Sequence, residues 1–241
     1  MSPARPRIGL IVPPAHGRVP QDGPDLYGDR YEFIARGLGI AAVSPEGFDP
    51  VVDTILDRAR ELRAAGAEVI SMMGTSLSFY RGQAFTDQLR SSMQQATGVP
   101  CTTMSHAVIA ALRRLGVRKV AVATSYIDDL NQRLVDYLTG AGFTVTAIEG
   151  MSMTGVEAMG EVPTQALVDL SLKVFEKDRS AQGIFISCGG LLTLEAIRQL
   201  EDRLGVPATA SSPAGFWDVV RLGGWDASSP GHGRLFGERE R

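Results

Sequence analysis

A cysteine followed by two glycines closes the short apolar segment Gly183–Gly190. An apolar run of this length bounded by glycine is typical of a strand buried on both faces of a parallel sheet. Cys188 would then lie at the carboxyl end of a strand, where open α/β sheets bind their ligands. Gly189 and Gly190 allow the backbone to approach a ligand closely, and the pattern predicts a helix over 191–204 whose first N–H groups favour an anion. The segment therefore predicts a thiol beside an anion-binding backbone.

The segment that contains Cys188 has a counterpart in the first half of the chain. Glu68–Gly74 aligns with Gln182–Cys188, so that Gly74 takes the position of the cysteine. Three further pairs of segments agree with this repeat: Ile8–Pro14 with Val120–Tyr126, Gly98–Thr103 with Gly205–Ala210, and Arg114–Gly116 with Arg221–Gly223. A thiol on each side of a planar carbon would suit racemisation, whereas one thiol opposite a glycine can protonate a carbanion from one face only.

Four strand ends are predicted to meet in a cleft between the two halves, since small-molecule sites usually lie in such clefts. They are Pro13-Pro14, Gly74-Thr75-Ser76, Ser125-Tyr126 and Cys188-Gly189-Gly190. None of these residues is Lys, Arg, Asp, Glu or His. Neutral hydrogen-bond donors can hold a carboxylate and stabilise an oxyanion. We therefore predict neither a metal site nor a Ser-His-Asp triad at these ends.

The elements that position these ends alternate between strand and helix, a pattern typical of parallel α/β sheets. We predict two pseudo-symmetric Rossmann-like βα halves, each with a mainly parallel four-stranded sheet flanked by helices. The first half covers residues 1–116 and is joined by the C-terminal helix 213–222 and the tail; the second covers 117–212. The tail from Gly223 is predicted to be mobile.

The apolar runs and the helical periodicity place the individual elements. The predicted strands are Arg7–Val12, Glu68–Met73, Cys101–Thr103, Lys119–Thr124, Phe143–Ile148, Gly183–Ser187 and Ala208–Ala210. The predicted helices are Phe33–Gly37, Pro50–Ala65, Gln83–Ala96, Ser105–Leu115, Asp128–Thr139, Pro163–Phe175, Leu191–Leu204 and Pro213–Leu222. Asp128 is the predicted N-cap of its helix.

Composition narrows the possible partners and locations. The chain has 241 residues, a formal net charge of −3 and 44% hydrophobic residues, which is ordinary for a globular protein and favours neither nucleic acid nor an anionic membrane as partner. The N-terminal segment lacks a signal-peptide pattern, so we expect a cytoplasmic protein. Its two cysteines, Cys101 and Cys188, are then expected to stay free, with Cys101 in the core.

Several segments carry a resemblance to a known family. They are Ile11–Pro14, Pro45–Gly47, Gly74–Gly82, Cys101–Ser105, Tyr126–Asp129, Thr154–Met159, Ser187–Thr193 and Ser211–Trp217. Together with the pairing of Gly74 and Cys188, they resemble the arylmalonate decarboxylases of the aspartate/glutamate racemase superfamily. The resemblance extends from residue 8 to about 236 and so covers nearly the whole chain.

The resemblance implies a cofactor-free decarboxylation of α-aryl-α-methyl malonates to one enantiomer of the monoacid. It implies that hydroxyls of Thr75, Ser76 and Tyr126, with the backbone from Gly74 and N–H groups at Ser76, Cys188 and Gly189, hold the retained carboxylate while it becomes an enediolate. Cys188 then protonates the planar carbon.

The resemblance also implies an apolar pocket for the departing carboxylate and a small aryl malonate as the substrate. The matching pocket positions are Pro14, Ile40, Val43, Phe48, Leu77, Val156 and Met159. Ile40 and Phe48 stand where the family pattern has leucine and tyrosine, and are expected to alter the shape of the pocket. No metal, cofactor, nucleic-acid or membrane partner is implied, and we expect a monomer.

Two other classes of function stay open at this point. One is a racemase or cis-trans isomerase of small carboxylic acids, against which Gly74 argues. The other is a carboxylate-binding protein without turnover. The resting charge of Cys188 is also open, since a proton donor must be a thiol whereas a helix N-terminus lowers a thiol pKa. His16, His106 and His232 are scattered and are expected to be non-catalytic, and of the three only His16 is expected near the cleft.

Overall fold

The computed structural model describes residues 5–237 and contains two four-stranded sheets. Residues 1–4, which open the predicted first half, and 238–241, which end the predicted tail, lie outside the described residues. The strands are β1 (Arg7–Val12), β2 (Glu32–Gly37), β3 (Val69–Met72), β4 (Cys101–Thr103), β5 (Lys119–Thr124), β6 (Thr144–Gly150), β7 (Gly183–Ser187) and β8 (Ala208–Ala210). Their orders are β2-β1-β3-β4 and β6-β5-β7-β8, and every pairing is parallel.

Helices and short 3₁₀ segments connect the strands. The α-helices are α1 (Asp22–Tyr27), α2 (Pro45–Phe48), α3 (Ile55–Ala64), α4 (Thr75–Phe79), α5 (Gln83–Thr97), α6 (Met104–Arg114), α7 (Asp128–Gly140), α8 (Thr164–Lys177), α9 (Leu194–Leu204) and α10 (Ser211–Leu222). Segments Asp49–Thr54, Glu157–Glu161 and Arg234–Phe236 are 3₁₀ helices. The α/β class with two parallel sheets, predicted from the alternation of elements, is confirmed.

Strand registers define the symmetry between the two sheets. Ile11 of β1 pairs with Met72 of β3, and the equivalent residue of β5, Ala123, pairs with Ile186 of β7. Cys188 lies two residues beyond Ile186, and Gly74 lies two residues beyond Met72. Backbone pairing thus gives the same match of glycine and cysteine that the sequence repeat predicts.

The fourth strand of the first sheet is β2, where we predicted a helix over Phe33–Gly37. That prediction is wrong. Arg7 through Val12 pair one to one with Glu32 through Gly37 along the whole strand. A helix of about five residues would be marginal alone, since a helical nucleus is costly, whereas the free edge of β1 offers hydrogen bonds to every residue of an extended segment.

Three helix boundaries differ from the predictions for local reasons. The predicted helix over 50–65 begins as the 3₁₀ segment Asp49–Thr54 and becomes α3 at Ile55. Asp128 is the first residue of α7, not its cap. Helix α9 begins at Leu194, three residues later than predicted, because the chain first makes a turn in which the Leu191 N–H donates to the Cys188 carbonyl.

The tail from Gly223 was predicted to be mobile, and for residues 223–237 this is wrong. The Ser229 hydroxyl donates to the Leu26 carbonyl at 2.6 Å, and the Arg234 N–H donates to the Glu201 carboxylate at 2.9 Å. Phe236 is fully buried. Apolar anchors and backbone hydrogen bonds fix this segment against both α1 and α9, which its Gly- and Ser-rich composition conceals.

Helix α10 lies against α6 and against strands β3 and β4 of the first sheet. It is nearly all buried, from Ser211 to Val220. This packing is compatible with its assignment to the first half; the division at residues 116 and 117 remains a prediction. Among residues 5–237 no helix is both long enough and apolar enough to cross a membrane.

Candidate active site

The carboxyl ends of both sheets border one cavity of about 200 Å³. Twelve of the thirteen predicted site residues line it: Pro14, Ile40, Val43, Phe48, Gly74, Thr75, Ser76, Leu77, Val156, Met159, Cys188 and Gly189. The thirteenth, Tyr126, is set behind this lining with its side chain 1% exposed. The structure therefore brings twelve of the predicted residues together around one cavity.

Cys188 follows β7 directly and is 5% exposed. Its Sγ lies 3.1 Å from the Sδ of Met159, on the cavity wall. Its backbone N–H donates to the Ser211 hydroxyl at 3.1 Å. The first residue of α10 thus fixes the backbone of Cys188 and occupies the N–H group that we predicted as a carboxylate donor.

The surroundings of Cys188 favour the neutral thiol. Burial raises the pKa of this thiol, and interactions with the Ser125 hydroxyl and the N–H groups of Gly190 and Leu191 oppose the rise only in part. Helix α9 begins six residues after the cysteine, so its N-terminus exerts little of the pKa-lowering effect that an adjacent helix would have. The sequence left the resting state of Cys188 open, and these surroundings favour the protonated, uncharged thiol.

The hydroxyl groups of the site come from the start of α4. Thr75 and Ser76 are its first two residues and are 2% and 7% exposed. The Thr75 hydroxyl donates to the Sδ of Met104 at 2.8 Å. A thioether sulfur is a weak acceptor, so this proton can turn to a stronger acceptor at little cost. The backbone N–H groups of Thr75 and Ser76 also lie in the first turn of the helix, where they have no intrahelical acceptor.

Tyr126 supports these hydroxyls from behind. The Ser187 hydroxyl donates to the phenol oxygen at 3.2 Å. Burial raises the pKa of Tyr126, while its contacts with the hydroxyls of Ser187, Ser76 and Thr75 lower it by less. The phenol therefore stays neutral and keeps its proton. It belongs to a hydrogen-bonded group of hydroxyls that faces the cavity through Thr75 and Ser76.

One wall of the cavity is apolar and spans both halves. Ile40, Val43 and Phe48 are at most 7% exposed. The Val43 N–H donates to the Thr154 carbonyl at 2.9 Å, which ties this wall to the segment that carries Val156. Side chains of this kind offer a bound carboxylate no hydrogen bond.

Gly74 has room for a side chain. Its φ of −134° is one that any residue adopts. A Cβ built there would lie 3.4 Å from the Cβ of Leu77, an ordinary contact, and 3.3 Å from the Sδ of Met72, whose flexible side chain must shift slightly. Backbone conformation does not demand glycine at this position.

Three charged residues that the sequence analysis did not place there line the cavity: Arg18, Asp22 and Glu157. His16, the one histidine predicted to lie near the cleft, lines it as well. The strand ends carry uncharged residues, as predicted, but the rest of the cavity lining includes charged ones. His16 and Glu157 are 3.8 Å apart across the mouth. These residues lie on a loop, on α1 and on a 3₁₀ segment. Pro20 and Gly23-Pro24 indicate a turn near Asp22, but no sequence pattern predicts that this turn lies at the cleft.

The comparisons with known proteins agree with this geometry. The family model described as Arylmalonate decarboxylase matches residues 8–236. The arylmalonate decarboxylase of Bordetella bronchiseptica is 56% identical over 234 residues, which is 97% of each chain. The chain belongs to the arylmalonate decarboxylase family.

Solved structures place this family member among its relatives. A Gly74→Cys, Cys188→Ser variant of arylmalonate decarboxylase in a liganded form superposes with a TM-score of 0.94 at 56% identity, covering 96% of this chain and 98% of that one. The maleate cis-trans isomerase of Nocardia farcinica bound to TRIS has a TM-score of 0.89 at 21% identity, covering 96% and 97%. The isomerase shows the shared fold alone. The resemblance predicted from the sequence is confirmed.

Proposed function

We propose that this member of the arylmalonate decarboxylase family converts α-aryl and α-aryl-α-methyl malonates to one enantiomer of the α-aryl monocarboxylic acid without a cofactor. The observation that carries the proposal is a neutral thiol, Cys188, that shares a cavity with Gly74 at the equivalent strand end and with a set of uncharged donors. One proton donor on one side gives one product hand.

The retained carboxylate binds at the start of α4. It accepts hydrogen bonds from the hydroxyls of Thr75 and Ser76, with Tyr126 behind them, and from the N–H groups of Ser76 and Gly189. Thr75 exchanges its weak bond to the Met104 sulfur for one to a carboxylate oxygen. Such donors bind more tightly as negative charge grows on those oxygens, so they stabilise the transition state more than the substrate.

The departing carboxylate faces the apolar wall that includes Ile40, Val43 and Phe48. A carboxylate without hydrogen bonds in such surroundings is destabilised, and it loses its charge when it leaves as carbon dioxide. The electron pair of the broken C–C bond passes into the retained carboxylate, which becomes an enediolate. The aryl ring shares that charge.

Cys188 ends the reaction. Its S–H bond breaks, the proton goes to the planar carbon on the face next to Sγ, and the sulfur keeps the electron pair as a thiolate. A proton from solvent then restores the thiol, so that each turnover consumes one proton and releases one carbon dioxide. Met159, 3.1 Å from Sγ, holds the sulfur in place by contact.

Assembly and location form a lesser part of the proposal. We infer a cytoplasmic monomer. In support of the location, both cysteines are free and buried, as expected in a reducing compartment.

The decisive experiment measures carbon dioxide from phenylmalonate and methylphenylmalonate after dialysis against a chelator, with product chirality determined in deuterium oxide. We expect turnover, one deuterium at the α-carbon and a single enantiomer. A racemic product would contradict the one-sided proton donor. Tight binding of phenylacetate without carbon dioxide release would replace the decarboxylase by a carboxylate-binding protein.

A further inference from the structure

A second polar region lies in the same cavity, apart from the hydroxyls of Thr75 and Ser76. It consists of Asp22, at the start of α1, and Ser212, in the first turn of α10. Both line the cavity, yet they are only 4% and 1% exposed. Helices α1 and α10 pack together, and a Cβ at Gly23 would overlap the ring of Phe216, so this contact is close. The pair is built into the protein and is not a surface feature.

The two side chains leave hydrogen-bonding capacity unused. The Ser212 hydroxyl is fully buried and lies near the Asp22 carboxyl without the geometry of a full hydrogen bond. Burial raises the pKa of Asp22 to about 6, the Asp25 charge adds to the rise, and Ser212 opposes it. At pH 7.5 most of the carboxyl is therefore ionised. A buried hydroxyl without a partner and a buried carboxylate are both costly unless something binds to them.

The segment Cys188-Gly189 connects this pair to the hydroxyls of Thr75 and Ser76. Cys188 is tied through its N–H to Ser211, the neighbour of Ser212. On the other side, a Cβ at Gly189 would lie 3.0 Å from the Sδ of Met104, which accepts the Thr75 hydroxyl. The segment Cys188-Gly189 therefore contacts both polar regions, Ser212 through its neighbour Ser211 and Thr75 through Met104.

We propose that Asp22 and Ser212 form a second polar subsite that binds a hydrogen-bond donor, a hydroxyl or amino group, carried on the aryl ring of the substrate. A carboxylate only accepts hydrogen bonds, so it selects a donor and repels a carboxylate of the malonate. The same repulsion orients the substrate with both carboxylates away from Asp22. This subsite rests on the proposed decarboxylation, since it names the class of aryl malonate that the site prefers.

The test compares kcat/KM for 3- and 4-hydroxyphenylmalonate with kcat/KM for phenylmalonate at pH 7.5. In the wild-type protein we expect a preference of about tenfold for one hydroxylated isomer, as for a hydrogen bond to a charged group. Asp22→Leu, which keeps the approximate size but not the charge, should reduce that ratio to about one. Ser212→Ala should reduce it by about threefold.

The ratio separates recognition from damage, because a structural defect lowers turnover of both substrates together. Asp25→Asn is the matched control: it removes a carboxylate from the exposed side of the same helix and should leave the ratio unchanged. If wild type shows no preference, or Asp22→Leu leaves the preference intact, the subsite is refuted while turnover of phenylmalonate upholds the decarboxylase.

A second measurement decides the subsite even if the proposed reaction fails. Calorimetric binding of 3- and 4-hydroxyphenylacetate, each compared with phenylacetate, requires no turnover. We expect one hydroxylated acid to bind about tenfold more tightly to wild type and with no advantage to Asp22→Leu. Equal affinities of all three acids for the wild-type protein would overturn the proposal.

Discussion

The carboxyl ends of β3 and β7 are equivalent positions in two sheets of the same strand order, yet they carry Gly74 and Cys188. Around them the halves differ in kind as well. The first supplies the hydroxyls of Thr75 and Ser76, and the second supplies the thiol and its neighbouring glycines. The two halves form a symmetric scaffold. In the proposed mechanism one side binds charge and the other moves a proton, so the directional chemistry arises from a single missing side chain.

Other glycines show that this absence is not a demand of the backbone. A Cβ at Gly150 would overlap the Tyr126 carbonyl, and one at Gly183 would overlap the side chain of Val117. A Cβ at Gly74 meets neighbours at 3.3 Å or more. Packing therefore forces glycine at positions 150 and 183 and does not force it at position 74.

The largest expected effect comes from removing the proton donor. Cys188→Ala should lower kcat about 10²- to 10⁴-fold, the usual contribution of a positioned general acid. Carbon dioxide release under saturating phenylmalonate measures it. Cys101→Ala, which changes the other buried thiol, serves as the control. Full activity of Cys188→Ala would assign protonation to another group.

The hydroxyl side of the comparison is tested by Thr75→Val, which keeps the shape of the side chain but removes its proton. We expect kcat to fall about 10²-fold, as for one donor of an oxyanion hole. Thr75→Ser retains the donor and should keep most of the activity. Full activity of Thr75→Val together with a loss in Thr75→Ser would instead indicate a packing role for the methyl group.

The asymmetry itself can be reversed. Gly74→Cys should fold, because its Cβ fits, and should introduce slow racemisation of α-arylpropionates, since each face then has a thiol. Combined with Cys188→Ala, it should restore decarboxylation with the product of opposite hand. Chiral chromatography of the product reads both outcomes. Retention of the original hand in the double variant would mean that the two positions do not face opposite sides of the substrate.

Buried Asp22, in the second polar region, should make the stability of the protein depend on pH. The folded-state pKa of Asp22, about 6, lies above its ordinary value of 3.8, so folding favours the protonated form. The contribution of Asp22 to stability is therefore fully present below about pH 4 and is lost as pH rises from about 4 to about 6. Ionisation should cost up to about 3 kcal/mol in the free energy of unfolding.

Asp22→Asn should remove this pH-dependent cost. Urea unfolding at about pH 4 and pH 7.5 should give a smaller decrease in free energy for the variant than for wild type. Exposed Asp25→Asn removes only the smaller contribution of the Asp25 charge and should keep most of the wild-type decrease. An identical pH dependence in all three proteins would show that Asp22 is not destabilised in the fold.

The smallest expected effect is a flat pH profile. Because burial raises the pKa of Cys188 above the ordinary 9.0, kcat/KM should change less than about twofold between roughly pH 7 and 8.5. It should fall at higher pH as the thiol ionises. A decline centred near neutral pH would instead indicate a thiolate at rest.

Much of this arrangement could be predicted from the sequence, because buried parallel strands have a strong local pattern. The run Gly183–Ser187 has apolar residues bounded by glycine, and the repeat located its partner. β2 was missed because its residues are half-buried at a sheet edge and lack such a pattern. Asp22 was missed because only the packing of α1 against α10 brings it into the cavity. The tail was missed because its few anchors, such as Phe236, stand among glycines and serines.

The segment after α10 ties Leu26, near the beginning of the chain, to Glu201. Ser211 and Ser212, which support Cys188 and the second polar region, are also late in the sequence. During synthesis the strands of both sheets are made before this C-terminal segment. The enzyme therefore completes its interior only when residues 211–236 are available, so a fragment that ends at residue 210 should contain the strands of both sheets and show no activity.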